Sequence, residues 1–156
     1  MSDTNVLNIA ISLADASSEI GIYKQAVELY EKLLSFETKI FGSDHPEVAI
    51  TLAYLGNAHQ SLGDSQKAKE LYERALVIEE KHFGPDHPEV AVTLVNLGNA
   101  YRSLGESQKA KEHFERALVI QEKHFGPDNL RKQKNFTKEL WLFKKNISDQ
   151  IIQKWQ

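Results

Sequence analysis

The residues of this chain best suited to move a proton or hold a metal are its six histidines, His45, His59, His82, His87, His113 and His124. A protein zinc site needs three or four N, S or O ligands converging on one point. His82 and His87 are separated by a turn, and no acidic or cysteine partner completes a ligand set with them. There is no cysteine at all, which removes disulfides and thiolate chemistry. The glycines stand singly, as helix stops do, and form no phosphate-cradling loop. No serine nucleophile motif is present. The sequence therefore predicts no catalytic residue, no metal and no cofactor, and His45 and His87 read as turn residues.

What the chain offers instead is repetition. "TKIFGSDHPEVA" at 38–49 returns as "EKHFGPDHPEVA" at 80–91, and "EKHFGPDN" begins it again at 122. Gly42, Gly84 and Gly126 stand 42 apart, as do Gly21, Gly63 and Gly105. Residues 47–88 match 89–130 at 31 of 42 positions, and 5–46 aligns more weakly in the same register. Such a period marks a stack of units, each unable to bury its apolar face alone.

One unit reads as two helices. In "EVAVTLVNLGNAYRSLG" the apolar Val90, Leu94, Leu97, Tyr101 and Leu104 recur every three or four residues, one face of a helix. In "ESQKAKEHFERALVIQEKHFG" Ala110, Phe114, Ala117, Leu118 and Phe125 do the same. Glycine closes each helix by accepting the left-handed conformation. "PDHP" restarts the chain, with proline in the first turn and Asp86 or His87 as the cap; the sequence leaves both open. Helices are expected near 5–20, 23–41, 47–62, 65–83, 88–104 and 107–125, with a further helix in the tail.

The spacing of Leu94, Leu97, Gly98, Tyr101, Ala110, Phe114 and Ala117 follows the tetratricopeptide (TPR) pattern, with small residues where helices cross closely. The second copy supplies Leu52, Leu55, Gly56, His59, Ala68, Tyr72 and Ala75. The longer phrase, "HPEVA-x-TL" through "RAL-x-I-x-EK-x-FG-x-DHP", resembles the repeats of kinesin light chain and its relatives over residues 5–128. The resemblance implies an all-α, right-handed TPR solenoid of three 42-residue helix-turn-helix repeats (5–46, 47–88 and 89–128). It also implies a concave inner face, lined by the first helix of each hairpin, that binds a peptide or protein segment without catalysis. The candidate binding residues on that face are Tyr54, Asn57 and Gln60, then Asn96, Asn99 and Arg102. Ser12, Asp15 and Ser18 match them in the first copy, with Glu19 at the place of Ser61 and Ser103. Amides suit peptide binding because each can donate to a carbonyl and accept from an N–H.

Charge divides the chain. Residues 1–128 hold 12 basic and 20 acidic side chains, net −8; residues 129–156 hold 7 and 2, net +5. The whole carries −3, which argues against a nucleic-acid binder. The tail places Phe136, Leu140, Phe143, Ile147, Ile151 and Trp155 at helical spacing. It is expected to be a basic amphipathic capping helix that seals the last repeat. The alternatives are a tail that contacts a membrane or nucleic acid, and a scaffold that self-associates without a peptide. No apolar run approaches the length of a membrane span, and no basic residue precedes the apolar patch near the N-terminus as it would in a secretory signal. A cytoplasmic location is expected, with an extended peptide or protein segment as partner and no small-molecule substrate.

Overall fold

A computed structural model describes residues 23–126. These residues hold five helices: α1 (Tyr23–Phe41), α2 (Pro46–Ser61), α3 (Ser65–Phe83), α4 (Pro88–Ser103) and α5 (Ser107–Phe125). No strand occurs among the described residues. The expected helices at 23–41, 65–83 and 107–125 are reproduced, and those at 47–62 and 88–104 shift by one residue at one or both ends. The helix expected at 5–20 and the tail helix lie outside the described residues.

The local chemistry explains each start and stop. His45 and His87 are extended, and their Nδ1 atoms accept from the backbone N–H of Glu47 and Glu89 at 3.3 and 3.2 Å. Histidine is thus the cap that the sequence left undecided. Pro46 and Pro88 follow, at positions whose N–H would have no helical partner. Phe41 and Phe83 stack on the capping rings, with centroids 4.7 and 4.8 Å apart. Asp86, the rival cap, and its counterpart Asp44 point elsewhere. Asp44 accepts from Lys81 at 2.6 Å and Asp86 from Lys123 at 2.5 Å, so each link is tied to the second helix of the following hairpin. His82 and His124 add contacts to the Asp44 and Asp86 carbonyls at 2.6 and 2.7 Å. The phrase "K-x-F-G-x-D-H-P" at 39–46 and 81–88 is a set of parts that fit one another across a repeat.

α2 ends in a six-residue wrap. Gly63, at φ +81°, donates to Gln60, and Asp64 donates back to His59 at 2.9 Å. Gly105 and Glu106 repeat this at the end of α4. Asp64 also caps α3 by accepting from the Lys67 N–H at 3.1 Å. Its counterpart Glu106 makes no such bond to its helix and pairs with Lys109 instead.

Each helix packs on the next, and α2 also meets α4 directly. Leu52, Leu55, Leu94 and Leu97 of α2 and α4 are buried, along with Tyr72, Phe114, Ala75 and Ala117 of the second helices. The crossing within each hairpin is close because Gly56 faces Tyr72 and Gly98 faces Phe114. Leu104, expected in the apolar stripe, is only half-buried, and its counterpart Leu62 is 42% exposed. Both sit at the helix end, where the chain already turns away from the core.

Candidate functional site

The candidate residues divide between α2 and α4. Both helices bury one side, Val48, Leu52 and Leu55 in α2 and Val90, Leu94 and Leu97 in α4. The opposite side carries the polar set at matching positions 42 residues apart. The two helices meet through Gln60, whose Nε2 donates to Ser103 Oγ of α4 at 3.1 Å and to Ser65 Oγ at 3.1 Å. Gln60 is thus half-buried and engaged in joining neighbouring hairpins.

The other five differ in how available they are. Tyr54 is 38% exposed and its ring stacks on Tyr30 of α1 with centroids 5.7 Å apart. Asn57 is exposed, but its Oδ1 accepts from the Tyr72 hydroxyl at 2.6 Å. Burial pushes that hydroxyl's proton affinity up, so it donates throughout the ordinary pH range. In the next hairpin Phe114 replaces Tyr72, so the ring opposite Asn99 has no hydroxyl to offer its side chain. Asn99 Oδ1 instead accepts from Arg102 at 2.9 Å, and the Arg102 guanidinium lies over the Phe114 ring, 5.9 Å from its centroid. Asn96 is half-buried on the same face. The face therefore presents Asn96, the Asn99–Arg102 pair and the Tyr54 ring, while Gln60 and the Asn57 oxygen serve the fold.

Two apolar residues on this face were missed in the sequence. Ile50 and Val92 are each 44% exposed. They stand one helical turn ahead of Tyr54 and Asn96, which is the signal that could have found them. Each first helix thus runs from an apolar end to an amide-bearing end. The two ends differ in chemistry, Ile50 and Val92 being apolar while the amides can both donate and accept. It offers no charge relay. Among the described residues no group of three or more His, Cys, Asp or Glu could hold a metal ion. No described helix is long and apolar enough to cross a membrane.

A repeated helical hairpin of this build, closed at its crossing by glycine against an aromatic ring, defines a helical-repeat protein. The family model for the tetratricopeptide repeat matches residues 5–81 and 70–123, and the chain belongs to that family. Among solved structures it is similar to a protein described as a kinesin light chain with nearly identical TPR-like repeats from Podosopora anserina. The identity is 29% and the TM-score 0.73, over 87% of this chain and 66% of that one. It is also similar to BtubC (BKLC) from P. vanneervenii, at 22% identity and TM-score 0.68 over 85% and 50% of the two chains. The Sgt2 TPR domain of Aspergillus fumigatus matches at 22% identity and TM-score 0.64, over 92% and 80%. The last two show the fold alone. The chain spans just under two thirds of the Podosopora chain and half of BtubC. No curated protein matches it by sequence.

Proposed function

We propose that this chain is a non-catalytic, cytoplasmic interaction module that binds an extended peptide or protein segment along the face shared by α2 and α4. The carrying observation is the register of that face. Ile50 and Val92, Tyr54 and Asn96, and Asn57 and Asn99 occupy equivalent positions 42 residues apart on two helices joined by the Gln60–Ser103 bond. An extended peptide repeats its side chains and backbone groups at regular intervals, and a surface that repeats its own groups can meet it. Membership of a family of repeat scaffolds supports the same reading.

The roles follow from availability. Ile50, Val92 and the Tyr54 ring take apolar side chains. Asn96 and Asn99 donate to and accept from the peptide backbone, and Arg102 orients Asn99. A displayed library of random peptides, selected on the whole chain, tests this. Selected peptides should lose affinity for Asn96→Ala and Arg102→Ala and keep it for Arg74→Ala and Glu112→Ala on the second helices. Loss only with the second-helix variants would overturn the reading.

A further inference from the structure

Glu37, Glu79 and Gln121 occupy one position of the repeat, 42 residues apart, and are exposed by only 0%, 6% and 2%. Glu37 on α1 lies beside Thr51 of α2, and Glu79 on α3 faces Thr93 of α4, so both acids sit where one hairpin meets the next. Thr93 Oγ1 donates to Glu79 Oε1 at 3.0 Å, and both threonines are 2% exposed. Glu79 Oε2 has no hydrogen-bond partner among the described residues, and neither has either oxygen of Glu37. A buried carboxylate with so few donors is strongly disfavoured in its charged form, and it keeps its proton instead.

The surroundings reinforce this. Burial is the main cause that pushes the Glu79 carboxyl up to about 7; Thr93 pulls it partly back, and Glu89 and Glu80 add repulsion. Glu80 is on the same helix and is itself paired with Arg116 of α5 at 2.5 Å, while Glu89 is on α4. α2, packed on the other side of α3, adds no charged group to this balance. Glu37 is raised in the same way, by burial first, with Thr51 pulling it partly back and Glu47 adding repulsion. Gln121, the neutral isostere, holds the same position of the repeat in α5 and is likewise buried.

We propose that Glu79 and Thr93 form a proton-operated joint between successive hairpins, tight when the carboxyl is protonated and loosened when it is ionised, with Glu37 and Thr51 a second joint of the same build. Loosening changes how α3 seats on α4, and with it the angle between neighbouring hairpins.

The direction follows from linkage. Between the ordinary value of 4.5 and about 7, the unfolded chain releases a proton that the folded chain retains. Stability therefore falls as pH rises through that window and levels off above it. His113 on α5 acts oppositely. Its burial lowers its proton affinity, so its contribution is lost as pH falls below the ordinary histidine range. The comparison with Glu79→Gln cancels the histidine.

The test is urea unfolding of the whole chain at pH 5 and pH 8, alongside a carbon NMR titration of the Glu79 carboxyl. The wild-type folding constant should fall by roughly a hundredfold more than that of Glu79→Gln between these two pH values. The carboxyl should titrate near neutrality. A midpoint in the ordinary carboxylate range, or a Glu79→Gln chain with the wild-type pH slope, overturns the proposal. Should Glu79→Gln not fold, Thr93→Val removes only the hydroxyl donor and should raise the midpoint further; an unmoved midpoint overturns the joint.

Discussion

A methyl group placed on Gly98 would stand 2.7 Å from the Phe114 ring, and one on Gly56 would stand 2.6 Å from Tyr72. These contacts set how closely the two helices of each hairpin cross. In an exposed helix, Gly→Ala would add about 1 kcal/mol of stability. Here Phe114 is buried and cannot yield freely. Gly98→Ala should instead destabilise by about 1–3 kcal/mol, the usual cost of overpacking. For about 100 ordered residues, each kcal/mol lowers Tm by roughly 4–8 °C. Thermal melting checks this, and Phe114→Leu in the same chain should recover part of the loss. A Gly98→Ala chain that melts higher than the wild type would refute it.

The two residues that share each link should differ in worth. His87→Ala removes the α4 cap and the ring that stacks on Phe83. A lost cap costs about 0.5–2 kcal/mol. Asp86→Ala removes a pair between side chains 62% and 59% exposed, and such solvent-screened pairs contribute little. Urea unfolding should therefore rank His87→Ala as the more damaging, with His87→Asn close to wild type. The reverse ranking would mean the link is held by its ion pair.

Asn57 and Asn99 look equivalent in sequence and should behave differently when changed. Asn57→Ala leaves the Tyr72 hydroxyl, within a buried residue, without its acceptor, a loss of about 1–3 kcal/mol in stability. The Asn99 side-chain oxygen accepts from the exposed Arg102, and Asn99→Ala should leave Tm nearly unchanged. Against a peptide selected on the whole chain, Asn99→Ala should weaken binding by about 0.5–1.5 kcal/mol per lost hydrogen bond. Calorimetry of binding beside melting curves separates the two effects. Equal Tm losses for both variants would contradict the assignment.

Leu52 and Leu94 are the same position in consecutive hairpins, and each is 0% exposed. Alanine at either should cost about 2–5 kcal/mol. Leu62→Ala, at a residue that looks apolar and in register but is 42% exposed, should cost much less. Urea unfolding of the three variants decides whether the helix ends contribute to the core.

Much of the fold could be read directly because its signals are local. A glycine accepts a left-handed turn, a proline starts a helix and an apolar residue every three or four positions makes a face, whatever lies around them. The 42-residue period then multiplies those signals, so helix limits such as 23–41, 65–83 and 107–125 are legible from spacing alone. The side of α2 and α4 that bears Tyr54, Asn57, Asn96, Asn99 and Arg102 is legible for the same reason, since helical geometry alone puts those residues opposite the leucines. Which of them are engaged depends on neighbours 15 to 43 residues away: Tyr72 on Asn57, Ser103 on Gln60. That His87 caps while Asp86 pairs with Lys123, 37 residues on, is likewise visible only in the assembled hairpins. The buried setting of Glu79 was equally invisible, because a glutamate in "VIEEKHFG" reads as one more solvated charge. Only the packing of α4 over it removes the water, and desolvation is a property of the assembled hairpins that no single stretch of sequence carries.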